Sequence, residues 1–334
     1  MQRDPWLDNS KMVLVTFVVI GHAWGLLEST QGTHWAYDFL YSFHIPAFVV
    51  VTGYLSRGFE WAPGKLVALV RTVAVPYVLF EAVLAWFRYE VGGVALEDLF
   101  TDPHWPMWYL AALFFWRLSA PYFKRLRTQV ALPLAVVISL VAGLRAGDTF
   151  DLARILGLLP FFVLGLKMNR SHWQLLRSRT PVPFALAGVA ALLLVTRFTD
   201  RWGATEWYYY RSRYDVLEPH DPTAMLIRLA VLTLGLIGAA SIFVLVPRAA
   251  SWFSKLGAAT LVVYLFHGFF VLTAQYEGYP EWAADHAALA FVVTSAAALA
   301  LALALAAPPV ARRLARLVDP LGALDRLARK RPVS

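Results

Sequence analysis

The chain has 334 residues, 59% of them apolar and 16% charged, with no cysteine and a formal net charge of +8. Soluble domains carry nearer about 25% charged residues, whereas here apolar residues recur in runs of about 15 to 25, the length that crosses about 30 Å of hydrocarbon. The missing cysteine excludes thiolate catalysis, disulfides and zinc–thiolate centres, and basic residues confined to short loops point to membrane topology rather than nucleic acid.

The expected fold is an all-α integral membrane protein of about ten transmembrane helices. They fall near 12–28, 36–56, 68–88, 106–122, 130–145, 152–168, 182–198, 223–246, 256–274 and 287–308. The first run opens on Arg3-Asp4-Pro5-Trp6-Leu7-Asp8-Asn9-Ser10-Lys11 and carries one histidine, His22. With acidic residues before it and no small-residue cleavage site after it, it reads as a retained span. Lys11 and His22 leave the same helix face about 16 Å apart along the axis, which puts a charged residue at the membrane surface and an imidazole near mid-bilayer. Asp8 and Asn9 are expected to cap the helix start and orient Lys11.

The second run has Tyr37, Asp38 and Tyr41 near its outer end, then His44 in Phe43-His44-Ile45-Pro46, then Thr52-Gly53-Tyr54. Glu81 falls inside the third run, and a carboxylate at that depth needs a partner. The fourth begins at His104-Trp105-Pro106-Met107-Trp108-Tyr109, which reads as an interfacial aromatic belt or as faces for stacking sugar rings. Trp207-Tyr208-Tyr209-Tyr210 before the eighth run has the same two readings. His267 stands about 16 Å up the ninth run. Residues 1–311 form one transmembrane domain, and 312–334 a basic amphipathic tail along the inner leaflet.

Assigning loops to alternate sides places 22 of the 30 basic residues on the side of the termini and 8 on the other. The positive-inside rule therefore puts both termini in the cytoplasm of a plasma or inner membrane.

Two constellations carry chemistry. His22, His44 and His267 come to similar depth, and imidazole, with a pKa of about 6.5, suits proton transfer. A three-histidine metal site is the alternative, but no His-Glu-x-x-His spacing supports it, and no metal is assigned. At the cytoplasmic mouth stand Arg3, Lys11, Arg57, Lys65 and Arg71, read either as topology and lipid-headgroup contacts or as a phosphate clamp. Coenzyme A joins the two constellations. Its phosphates would sit at Lys11 and its neighbours, and its pantetheine arm would span about 16 Å of helix to His22.

Five segments in order resemble the family-3 membrane acyltransferases, in particular the fucose 4-O-acetylase-like branch. They are Lys11 with ten residues before His22, Phe43-His44-Ile45-Pro46 through Thr52-Gly53-Tyr54, Trp108-Tyr109-Leu110-Ala111-Ala112-Leu113, Leu159-Pro160-Phe161-Phe162-Val163-Leu164-Gly165, and Tyr264-Leu265-Phe266-His267. The resemblance implies ten spans, acyl-CoA as the donor, carbohydrate acetylation on the outer side, His22 as the essential histidine and Lys11 as its basic partner. Many relatives carry Arg-x-x-Arg near the third span, where this chain has Arg71 with Lys65 six residues earlier.

The expected function is thus an O-acyltransferase using acetyl-CoA on a saccharide or glycolipid hydroxyl. His22, His44 and His267 are the catalytic candidates; Lys11, Arg3, Arg57, Lys65 and Arg71 hold the donor. Asp38, Tyr41, Trp105, Trp108 and Tyr109 face the acceptor. The alternative is a proton-coupled transporter or flippase using the same histidines as a relay.

Overall fold

The computed structural model describes residues 4–96, 99–147, 149–217 and 223–322. Arg3 and the tail beyond residue 322 lie outside the described residues. The described chain is helical. Helix α1 (Pro5–Trp24) begins where the Asp4 carboxylate accepts the Trp6 and Leu7 N–H groups and Pro5 occupies the first turn. The helix therefore starts earlier than expected from the apolar run, and Asp4, not Asp8 or Asn9, is its cap. Asp8 instead pairs with Lys11 at 2.7 Å, and the Asn9 amide donates to the carbonyls of Pro247 and Ala249.

Helix α2 (Gln31–Tyr41) opens on a capping box between Thr30 and Thr33 and continues, after a break at Ser42-Phe43, as α3 (His44–Leu55). Helix α4 (Pro63–Leu69) passes through a π-turn, Val70–Ala74, into α5 (Val75–Gly92). Pro76 follows that turn, and its missing N–H is the local cause of the changed hydrogen-bond register. Helices α6 (Trp108–Arg125) and α7 (Thr128–Arg145) follow. Helices α8 (Leu152–Gly157) and α9 (Leu159–Lys167) meet at 56°, and α10 (Arg170–Arg177) and α11 (Val182–Thr196) at 82°. The chain ends in α12 (Thr223–Leu245), α13 (Trp252–Leu256), α14 (Thr260–Tyr276), α15 (Tyr279–Asp285), α16 (Ala287–Ala306) and α17 (Pro308–Val318).

Among the described residues five helical segments are long and apolar enough to cross a membrane, or up to seven if each bent pair is one span. The other three expected spans coincide with α1, α6 and α14. Helix α1 is made more polar by Asp8, Asn9, Lys11 and His22, α6 by Arg117, Lys124 and Arg125, and α14 has 17 residues.

Helix α1 runs between α3, α14 and α16 and is fastened at its start by α13. Trp6 fixes that start, its indole N–H donating to the Phe243 carbonyl while Trp173 packs edge-on at 5.3 Å. Helices α3 and α9 cross at van der Waals contact of their backbones. A Cβ on Gly53 would lie 2.0 Å from the Phe162 carbonyl oxygen, and one on Gly165 would lie 1.9 Å from that of Val50. At the same end, Arg57, Lys124 and Lys167 bond the closing carbonyls of α3, α6 and α9 to one another. Cations at helix C-termini complement the carbonyl dipoles there.

Candidate functional site

His22 projects from α1 and His267 from α14, and the two rings lie near-parallel with centroids 5.0 Å apart. His22 Nδ1 is 2.8 Å from His267 Nε2. The other His267 nitrogen, Nδ1, is 2.7 Å from the Tyr264 carbonyl and 3.1 Å from that of Val263. A carbonyl oxygen can only accept, so His267 Nδ1 carries the proton, and in the neutral ring its Nε2 is an acceptor. It follows that His22 donates from Nδ1, and that its Nε2 carries the free lone pair. The partners fix the tautomer of the would-be base, as a backbone carbonyl or carboxylate often does for a functional histidine. Trp105 stands edge-on to the His22 ring at 4.5 Å and shields the pair.

His44 is fully buried but does not join this pair. Its Nδ1 donates to the Leu40 carbonyl at 2.8 Å, its ring abuts Tyr41, and its Nε2 has no partner among the described residues. Three histidines at one depth were expected to act together; the structure couples two of them.

His22 lines two cavities. One, a chamber of about 210 Å³, is walled by Tyr37, Tyr41, Trp105, Trp108, Arg154 and Tyr209, among others. On the other side a constriction of about 20 Å³ is lined by Val15, Val18, Ile45, Phe48, Tyr109 and Tyr264. Val15 and Val18 lie on α1 between Lys11 and His22, so this apolar constriction tracks the stretch of helix that the donor arm was expected to follow. Its volume is about that of one water. Ile45, Phe48 and Tyr109 narrow it, and Tyr109 is hydrogen-bonded to Thr52. A third, polar cavity of about 610 Å³ shares Trp105 and Arg211 with the chamber and adds Arg88, Asp102, His104 and Gln275. It is of the size that ligand pockets take.

The expected acceptor residues divide. Tyr41, Trp105 and Trp108 face the chamber and Tyr109 the constriction. Asp38 lies in neither: it is buried, accepts from the Thr205 hydroxyl at 2.6 Å and lies 3.6 Å from His34, tying α2 to the 205–209 turn. The expected phosphate clamp is not gathered around one cavity. Lys11 is paired with Asp8, Arg57 stacks on Tyr54 and holds two carbonyls, Lys65 is exposed, and Arg71 pairs with Asp319 after α17.

Glu81 has the partner its depth demanded. It is fully buried, and its Oε1 accepts the His104 backbone N–H at 2.9 Å and the His104 ring.

Sequence reasoning did not single out Arg154, which falls inside the sixth expected span, 152–168. It stands in α8, its side chain 12% exposed, with Nη1 3.1 Å from Asp151 and Nε 3.0 Å from the Tyr209 carbonyl. Its guanidinium also lies 4.5 Å from the Trp108 ring centre. Arg228 is another: it lies within α12, is 1% exposed and is ringed by Trp207, Tyr210 and Tyr214. The signal was available, since each is a cation inside an apolar run. Tyr209 completes the chamber from the 205–209 turn. Burial holds its hydroxyl above the usual tyrosine range, so it remains a donor, to the Tyr37 hydroxyl at 3.1 Å.

The sequence model of a family described as an acyltransferase domain matches residues 4–307. No curated protein and no solved structure matches the chain.

Proposed function

From a chain that belongs to the acyltransferase 3 family, we propose a membrane O-acyltransferase that carries acetyl from cytoplasmic acetyl-CoA to a hydroxyl of an extracytoplasmic saccharide or glycolipid. The reading extends the family to its fucose 4-O-acetylase-like branch. It takes the helices as ten spans of a plasma or inner membrane, with both termini in the cytoplasm. The positive-inside count supports that orientation, with α1, α6 and α14 as the more polar spans around the site.

The observation that carries the proposal is the chain of hydrogen bonds from the Tyr264 carbonyl through His267 to His22. It leaves a basic nitrogen, His22 Nε2, on an imidazole that lines both the chamber and the constriction. In the proposed step an acceptor hydroxyl in the chamber attacks the thioester carbon and gives its proton to His22 Nε2. The carbon–sulfur bond breaks, and the imidazolium returns that proton to the CoA sulfur. Atoms and charge balance with both substrates bound in one complex and no acyl-enzyme. His267 acts as a positioning residue, since it accepts from His22 and steadies the imidazolium. Trp105 and Trp108 offer the aromatic faces on which a pyranose ring stacks.

The donor enters from the Lys11 end of α1, with phosphates near Lys11 and the arm through the constriction. Lys11, half-buried and oriented by Asp8, supplies the positive charge. The transporter alternative needs a proton path beyond His267, and the His267 Nδ1 proton is held by the backbone carbonyls of its own helix.

The test is transfer of label from [14C]acetyl-CoA into the glycans or lipids of membranes that contain the protein. His22→Ala should abolish it at an unchanged level of folded protein. Full transfer in that variant, or proton-coupled flux without acetylated product in the wild type, would refute the proposal.

A further inference from the structure

Acyl transfer by the step above places a negative charge on the thioester oxygen, and a donor must meet it. The histidines do not supply one. His22 spends its N–H on His267, His267 spends its own on the Tyr264 carbonyl, and His44 spends its own on the Leu40 carbonyl. A neutral imidazole has one N–H, so none of the three has a proton to offer an oxyanion.

The chamber holds one cation built for that task. Arg154 is anchored on three sides by the Asp151 carboxylate, the Tyr209 carbonyl and the face of Trp108. Those bonds use Nη1 and Nε and leave Nη2 out. The anchor is itself built at some cost, because Phe150 and Asp151 are consecutive non-glycine residues in the left-handed region, with φ of 55° and 57°. Strain of this kind persists where surrounding structure over-determines it and clusters at functional sites. Phe150 N–H donates to the Thr101 carbonyl at 2.6 Å, which holds the turn that presents Asp151 to Arg154.

The neighbouring charges separate Arg154 from the other arginine of the chamber. Arg154 at 3.1 Å and Arg211 at 3.5 Å share the one buried carboxylate of Asp151. Arg211 is 47% exposed at the chamber mouth, where water and Asp102, 3.9 Å away, screen it. Arg154, 12% exposed, is thus the more buried of the two cations that line the chamber.

Resting on the acyl-transfer reading, we propose that Arg154 is a catalytic residue, its Nη2–H donating to the thioester oxygen as that oxygen becomes an oxyanion. As the acceptor C–O bond forms, the carbonyl electron pair moves onto this oxygen and the acceptor proton goes to His22 Nε2. As the tetrahedral centre collapses, the pair returns, the C–S bond breaks, and His22 protonates the CoA thiolate. Arg154 keeps all its protons throughout. The bond is weak to the neutral carbonyl and strong to the oxyanion, so its effect falls on turnover rather than on donor binding.

The experiment compares the full chain with Arg154→Gln and with the double variant Arg154→Gln/Asp151→Asn, which leaves no orphaned buried carboxylate. Native membranes supply the acceptor, [14C]acetyl-CoA is the probe, and retention on immobilised CoA after solubilisation reports a folded donor site. The expected result is loss of about 10²- to 10³-fold in the saturated rate for both variants, with the KM for acetyl-CoA changed less than about 2-fold and CoA retention intact. A double variant that keeps more than about a tenth of the rate, raises KM alone, or is no longer retained on CoA overturns the role of Arg154. Those outcomes leave the acyl-transfer reading standing if His22→Ala is inactive beside them. A wild type that incorporates no label removes that reading and this inference with it.

Discussion

Replacing His267 tests the proposed relay at its centre. The His22–His267 bond is 2.8 Å long and joins two neutral rings in the resting state. Once His22 takes the acceptor proton, the same bond has a cationic donor, and such bonds contribute about 1.5–3 kcal/mol. Losing that increment in the transition state corresponds to a fall of about 10- to 150-fold in the rate. His267→Leu removes the acceptor while keeping a buried apolar body of similar bulk. His267→Gln restores an acceptor oxygen near the place of Nε2. Leu should therefore cost about 10- to 150-fold in saturated acetyl transfer, with little change in KM, and Gln should recover most of it. The assay is label transfer from [14C]acetyl-CoA in membranes with the protein level matched. Equal loss in the Gln and Leu variants, or no loss in Leu, would refute the claim that His267 acts by accepting from His22.

Three further outcomes follow from other parts of the structure. Gly165→Ala should lower the melting temperature of the solubilised protein sharply, because its new Cβ would meet the Val50 carbonyl at 1.9 Å; the cost is at or above the top of the usual ~1–3 kcal/mol for overpacking, and an unshifted melting curve would contradict the α3–α9 crossing. Ile45 lines both the chamber and the constriction, so Ile45→Phe should reduce transfer by ~10-fold or more through donor misplacement, and normal rates would place the donor path elsewhere. Lys11→Gln should raise the KM for acetyl-CoA by ~10-fold, the scale of one charged hydrogen bond to phosphate, with kcat little altered; an unchanged KM would remove Lys11 from the donor site.

Much of the architecture was legible because a bilayer imposes a simple grammar of apolar runs and basic loops. The coupling of His22 to His267 was half legible: depth can be counted along each helix, but which histidines meet depends on which helices are neighbours. Helix α14 lies beside α1 and places His267 on His22, while α3 turns His44 toward Tyr41 and the Leu40 carbonyl. The partners of the basic residues were not legible at all. Arg57 looked like a phosphate ligand by position, yet it bonds carbonyls at the ends of α3 and α9, a role with no sequence signature beyond proximity to a helix end. Arg154 was not singled out within the sixth expected span, and only the fold reveals the carboxylate, carbonyl and indole that hold it.

One feature of the relay reaches beyond the site. The chain of imidazoles ends on the Tyr264 carbonyl, a group that cannot take up a proton at any physiological pH. In the proposed step the proton lifted from the acceptor therefore leaves on the departing sulfur, and each turnover would be electrically silent. On the proposed reading, acetyl would cross from one face of the bilayer to the other with no net charge moving. Collapsing the voltage or the pH gradient across sealed vesicles should leave the rate unchanged, so that the enzyme keeps working in a de-energised cell for as long as its thioester lasts.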